Sequence, residues 1–220
     1  MNRIPFATYD FFGYLAAGLL LIIGMDLTLG FPRVLGHDLR PVEIVALLLA
    51  VYVGGQLVAT PSKAVLEDGL VDRVLGRPNI NLFREARPLL RRLLFPGFYK
   101  PLPSEVRQRV MNRAASEGIA NPGEALFLHV RYSPEIRADE KLLVRLDTFL
   151  NLYGFARNLS FTSLLVGVAL AIRAWWPGAD PALPKYAATA IVVGVLLLYR
   201  YLKFFRQYSY ELFNAYARGK

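Results

Sequence analysis

Cysteine is absent from the chain, which excludes disulfide staples, thiolate nucleophiles, zinc-thiolate sites and iron–sulfur clusters. Histidine is scarce: His37 and His129 are the two in the sequence, too few to build a metal centre. Also missing are a Walker-type glycine loop, a dinucleotide fingerprint, an H-E-x-x-H pair and a G-x-S-x-G elbow. With no catalytic constellation the sequence reads as a non-enzyme and implies no cofactor. Finally, charge is lacking from the middle of four long apolar runs. Proton pumps and ion-coupled carriers need ionisable groups there, and carriers of that kind are built from internal repeats that this chain does not show.

What is present is apolar. Of 220 residues 55% are hydrophobic and 13% aromatic, and mean hydropathy is +0.34, more than the core of a soluble domain requires. The runs are Phe11 to Met25, extendable to about 31; Ile44 to Ala59; Leu159 to Trp176; and Tyr186 to Leu198. Each approaches the length of a bilayer crossing. The expected fold is all-α: a polytopic membrane protein whose four transmembrane helices form two hairpins, with a helical cytoplasmic domain between them. The first hairpin takes residues 1–60, with spans near 10–30 and 42–60. The second takes 159–199, with spans near 159–176 and 186–199 and a tight Pro- and Gly-rich turn between them. No small-residue cleavage site follows Met25, so the first run reads as a retained span rather than a signal peptide.

Orientation follows from the basic residues. The formal net charge is +9. Sixteen Lys or Arg lie between the second and third runs, and Arg200, Lys203, Arg206, Arg218 and Lys220 follow the fourth; the two hairpin loops carry Arg33, Arg40, Arg173 and Lys185. Basic residues resist translocation, so both termini and the middle segment are expected in the cytoplasm. Trp175 and Trp176 suit the outer interface.

Small residues recur four apart in every run: Gly13 and Ala17; Ala46, Ala50 and Gly54; Ser163, Gly167 and Ala171; Ala190 and Gly194. Such stripes permit close helix approach where no hydrophobic effect drives association. They are candidate packing or oligomer faces, and the chain is expected to be a homo-oligomer.

The cytoplasmic segment, 61–133, reads as short helices. Pro61 suits a helix start, and Val65, Leu66, Leu70, Val74 and Leu75 fall on one stripe at α-helical spacing. Ser104 is placed to cap the next helix. Helix breakers are then absent from Pro134 to Trp176 apart from glycines, so 134–158 is expected to be a stalk continuous with the third span, about 64 Å in all. Residues 200–220 extend the fourth span as a helical tail.

Arg84, Arg87, Arg91, Arg92, Lys100, Arg107 and Arg113 make this segment strongly basic. Guanidinium groups grip phosphate oxygens bidentately, so these are candidates for an anionic ligand, a nucleotide or nucleic acid, or for lipid headgroups. Phe83, Phe95, Phe98 and Tyr99 could stack on bases or anchor at the interface. Ser62 and Ser104 read as helix-start caps. Glu67, Asp68 and Asp72 read as a solvated acidic face paired with Lys63 and Arg73. His129 reads as a packed or interfacial histidine, and Gln56 as lining a water path or bonding across a helix interface.

The stretches PFATYDFFGYLAAG, GGQLVATPSKAVLEDGLVDRVLGRP and LYGFARNLS resemble uncharacterised bacterial four-span inner-membrane proteins, some associated with antiphage defence loci. That resemblance implies a small membrane component that works with a soluble cytoplasmic partner or senses a cytoplasmic signal; it implies no active-site residue. The expected function is a homo-oligomeric membrane effector, ion-channel-like, under the control of a cytoplasmic ligand or protein partner. The alternative is a non-conducting membrane anchor for a soluble partner.

Overall fold

The computed structural model describes residues 8–29, 38–84 and 93–219. All regular elements among them are helical: α1 (Thr8–Leu29), α2 (Pro41–Ser62) with a wider π-helical continuation (Lys63–Leu75), α3 (Pro78–Asn81), α4 (Ser104–Ser116), α5 (Glu124–Tyr132), α6 (Pro134–Ala138), α7 (Glu140–Ala174) and α8 (Leu183–Arg218). Four stretches are long and apolar enough to cross a membrane: Phe11–Leu29, Pro41–Asn81, Glu140–Ala174 and Leu183–Arg218. The chain divides into two compact units. One comprises Met1–Gly69 with Gly154–Tyr201, the other Leu70–Tyr153 with Leu202–Lys220.

The first unit has its large apolar side chains outside. Leu48, Leu49, Leu57, Val168, Ile172, Val192 and Leu196 are exposed, whereas small residues occupy the contacts between helices. A Cβ on Gly18 would overlap the Val51 carbonyl, and one on Gly55 would overlap the Tyr14 carbonyl, so α1 and α2 touch backbone to backbone. Gly167 and Gly194 do the same for α7 and α8: added Cβ atoms would lie 2.7 Å from Ile191 Cγ1 and 2.7 Å from Leu164 Cγ respectively. A soluble fold would bury its leucines and expose its polar atoms. The reverse arrangement is what lipid selects, because tails solvate Leu while close packing and hydrogen bonds join the helices.

Pro61 does not start a helix. It lies inside one, where it contributes no N–H. From Lys63 the ladder runs in i→i+5 register, ending with the Gly76 N–H on the Val71 carbonyl at 2.6 Å. Gly76 can stop the helix because its φ is +80°. The wider pitch also changes the buried face. Ser62, Leu66, Val71 and Leu75 are buried, at spacings of four, five and four, while Val65 and Val74 are half exposed. The stripe read at α-helical spacing therefore holds at Leu66 and Leu75 and fails at Val65 and Val74, by the difference between the two pitches.

The second unit has a conventional core. Val110 and Ala114 of α4, Leu126 and Val130 of α5, Leu142 and Leu146 of α7, and Tyr208, Leu212 and Tyr216 of α8 are buried and share one cluster. Each helix thus presents an i, i+4 stripe to the others. Each leucine buried this way is worth about 1.5–3 kcal/mol. The long stalk is interrupted here. Asp139 leaves the helical region at φ −89°, ψ 89°, and its carboxylate accepts the Leu142 N–H at 2.9 Å. Pro134–Ala138 is consequently a separate turn, and the continuous helix has 35 residues from Glu140, about 52 Å at 1.5 Å per residue.

Candidate functional site

The second unit holds a groove of about 420 Å³ lined by Phe83, Ser104, Arg107, Gln108, Met111 and Pro122. Its placement follows from the backbone. The Leu102 N–H donates to the Leu82 carbonyl at 2.9 Å, bringing the chain before α4 alongside Phe83. Pro103 is extended, and α4 begins at Ser104 with no side-chain cap. Ser104 is thus the first helical residue, not the cap expected of it. Ser104, Arg107, Gln108 and Met111 are three, four and seven residues apart, so they share one face of α4. The Phe83 ring packs edge-on to Phe213 with centroids 4.9 Å apart, which fixes the wall opposite. A helix start, a guanidinium and a hydroxyl favour an anion; Phe83, Met111 and Pro122 supply apolar surface for a ring. The volume falls in the range of small-molecule sites.

The other basic candidates separate into distinct environments. Arg87, Arg91 and Arg92 lie outside the described residues, as do Arg33 and His37. Arg84 and Lys100 are exposed, and the Lys100 carbonyl accepts Arg206 Nη2 at 2.7 Å. Arg113 is used within the protein. Its Nη2 bonds both Glu135 oxygens at 2.6 and 2.7 Å, its Nη1 donates to the Tyr216 carbonyl at 3.0 Å, its Nε reaches Glu117 at 3.2 Å, and its guanidinium stacks 4.3 Å from the Tyr216 ring centre. These bonds, Glu135 foremost, raise its pKa further above the usual arginine range. Phe98 and Tyr99 are likewise core residues, 4% and 5% exposed, with the Tyr99 hydroxyl donating to the Leu75 carbonyl. They are not stacking platforms.

Glu117, which closes α4, is the hub of that network. Tyr216 donates its hydroxyl to Oε2 at 2.6 Å, and His129 Nε2 lies 2.5 Å from the same atom. The Tyr216 bond is the largest cause, joined by His129 and Arg113 against the opposing effect of burial, that holds the Glu117 carboxyl down to about 2. His129 thus packs edge-on to the Tyr216 ring, centroids 6.4 Å apart, while its Nε2 meets Glu117.

In the first unit a polar seam joins α2 to α7 and α7 to α8. Buried Ser62 donates to Asn158 Oδ1 at 2.6 Å. Arg157 Nη1 donates to Glu67 Oε2 at 2.6 Å, with side chains 13% and 18% exposed. Ser160 and Ser163 donate to the carbonyls of Gly194 and Ala190 at 2.8 and 2.9 Å. Ser62 is thus an interior link and not a cap. Glu67 pairs with Arg157, and Asp72 pairs with Arg77; neither uses Lys63 or Arg73 as expected. Gln56 donates to Tyr52 on its own helix at 3.1 Å.

The chain matches no family model, no curated protein and no solved structure. Among the small-residue candidates, Gly13 faces the Phe155 ring, Ala17 is fully buried, and Ser163, Gly167, Ala171, Ala190 and Gly194 all sit at contacts within the chain. Ala46 and Ala50 are exposed, and Gly54 has nothing closer than 3.7 Å to an added Cβ. Sequence reasoning missed Gly18 and Gly55. The signal was the Gly54–Gly55 doublet, of which the ladder through Ala46 and Ala50 selects the first glycine while the helix contact uses the second.

Proposed function

We propose that this chain is a homo-oligomeric inner-membrane effector, ion-channel-like in its output, whose cytoplasmic unit is controlled by a small anionic ligand bearing a flat ring. The observation that carries this reading is the groove in which Arg107, the start of α4 and Phe83 converge. Phosphate or phosphodiester oxygens would lie against Arg107 and Ser104, and a base against Phe83 and Met111. The excess of Lys and Arg in the middle segment supports a cytoplasmic position for that unit. Conduction is assigned to several copies because the helix contacts within one chain are closed by backbone-to-backbone packing at Gly18 and Gly55, and four helices enclose no wide pore. Exposed Ala46 and Ala50 offer a face for the neighbouring copy. A link to antiphage defence rests on the resemblance of the span edges.

The test uses full-length protein in nanodiscs, titrated with mono- and dinucleotides, alongside cells loaded with a potential-sensitive dye. Arg107→Gln is expected to weaken nucleotide binding about tenfold or more, the loss of one charge-assisted bond, and to abolish ligand-dependent depolarisation. Absence of nucleotide binding in the wild type overturns the ligand assignment. A strictly monomeric protein by native mass spectrometry overturns the channel and favours the anchor.

A further inference from the structure

We infer that Leu93 and Leu94 form a wedge that docks the second unit onto anionic lipid headgroups, a binding surface separate from the groove. Leu93 is 77% exposed, the most exposed leucine among the described residues, and Leu94 is 49% exposed. Their position is fixed at its downstream end. Phe98 and Tyr99 are buried, the Phe98 N–H donates to the Phe95 carbonyl at 3.1 Å, and Lys100 is held through its carbonyl by Arg206 at 3.1 and 2.7 Å.

Charge identifies the occupant. Arg91 and Arg92 precede the leucines directly in sequence, with Arg84 and Lys100 on either side and Glu85 as the single acid from Arg84 to Lys100. Apolar side chains beside several cations match the layered chemistry of a leaflet, phosphate outside and acyl chains beneath, better than an aqueous protein partner.

The absence of cysteine allows a single-site test in the full chain. L93C carrying an environment-sensitive fluorophore is placed in nanodiscs of phosphatidylcholine alone or mixed with phosphatidylglycerol, with nitroxide-bearing lipids as quenchers. Y132C, at a half-exposed site on α5, is the control. The expected result is a blue-shifted probe at 93 that lipid nitroxides quench in the anionic discs, with the quenched fraction reduced about tenfold by Leu94→Asp and unchanged at 132. Inorganic phosphate added in solution should not release it. A water-like probe in both disc types overturns the proposal. So does a protected probe that lipid nitroxides fail to quench, which would mean a protein interface, and so does release by free phosphate, which would mean a soluble anion. None of these results bears on nucleotide binding at Arg107, so the two assignments fail separately.

Discussion

The Tyr216 hydroxyl donates to Glu117 Oε2 across 2.6 Å, joining the last turns of α8 to the end of α4. Because that carboxylate also meets His129 and Arg113, its ionisation is part of how the second unit closes on its C-terminal helix.

The sign of the pH dependence follows. The Glu117 carboxyl is lowered from 4.5 to about 2 in the folded protein, so its contribution is complete above 4.5 and is lost as pH falls from there towards 2. Thermal unfolding in detergent is expected to show a steeper fall in Tm from pH 5 to pH 3 for the wild type than for Glu117→Gln. Tyr216→Phe removes the largest cause of the shift, so its acid loss should start at the same pH near 4.5, be smaller, and end at a higher pH than in the wild type. Equal slopes in all three proteins would sink the assignment.

Glycine position separates two neighbours on α2. An added Cβ at Gly55 overlaps the Tyr14 carbonyl, whereas at Gly54 its nearest neighbour is Leu21 Cδ2 at 3.7 Å. Gly55→Ala and Gly18→Ala are expected to cost about 1–3 kcal/mol through overpacking, which is roughly 2–10 °C in Tm for a chain of this size. Gly54→Ala should stay near wild type. A Gly54→Ala protein as unstable as Gly55→Ala would mean that α1 and α2 cross elsewhere.

That contrast marks what the sequence can convey. The apolar runs were legible because lipid solvation depends on composition over about 20 residues, and the start of α4 to within a residue because the break at Pro103 is local, although Ser104 is the first helical residue and not a cap. The face of a helix is harder. Gly54 and Gly55 are equally small, and the choice between them depends on the crossing of α1, which is not a local property. The π-helical pitch after Pro61 keeps Leu66 and Leu75 of the expected stripe buried, turns Val65 and Val74 outward and brings Val71 in, since a period read at 3.6 residues drifts within three turns. Arg157 and Glu67 are 90 residues apart, and charge patterning shows partners only within a turn or two. At the candidate site, Phe83 and Arg107 were visible as types, yet their separation from Phe98 and Arg113 required the tertiary contacts.

Arginine chemistry tests that separation. Arg113 holds Glu135 with a fork that Lys cannot reproduce, so Arg113→Lys is expected to lower stability by about 1–2 kcal/mol, in keeping with lost charge-assisted bonds. Arg107→Lys gives up the fork that would meet a phosphate, so it should weaken nucleotide binding. If Arg113→Lys is the one that weakens nucleotide binding, the basic residues have been assigned the wrong way round.

The Arg157–Glu67 pair is mostly withdrawn from solvent, and Arg157 also lies 3.4 Å from Asn158 Oδ1, the atom that accepts Ser62. Removing one partner strands the other charge beside buried polar atoms, which is costly when water cannot replace the lost bond. Arg157→Met and Glu67→Gln are each expected to cost about 2 kcal/mol, less than a fully buried pair because both side chains keep some exposure. The double substitution removes both charges together, so it should cost clearly less than the two single losses added. Thermal unfolding of the four proteins in one detergent closes this cycle. Additive losses would mean that the two side chains act on stability separately, in spite of the 2.6 Å between them.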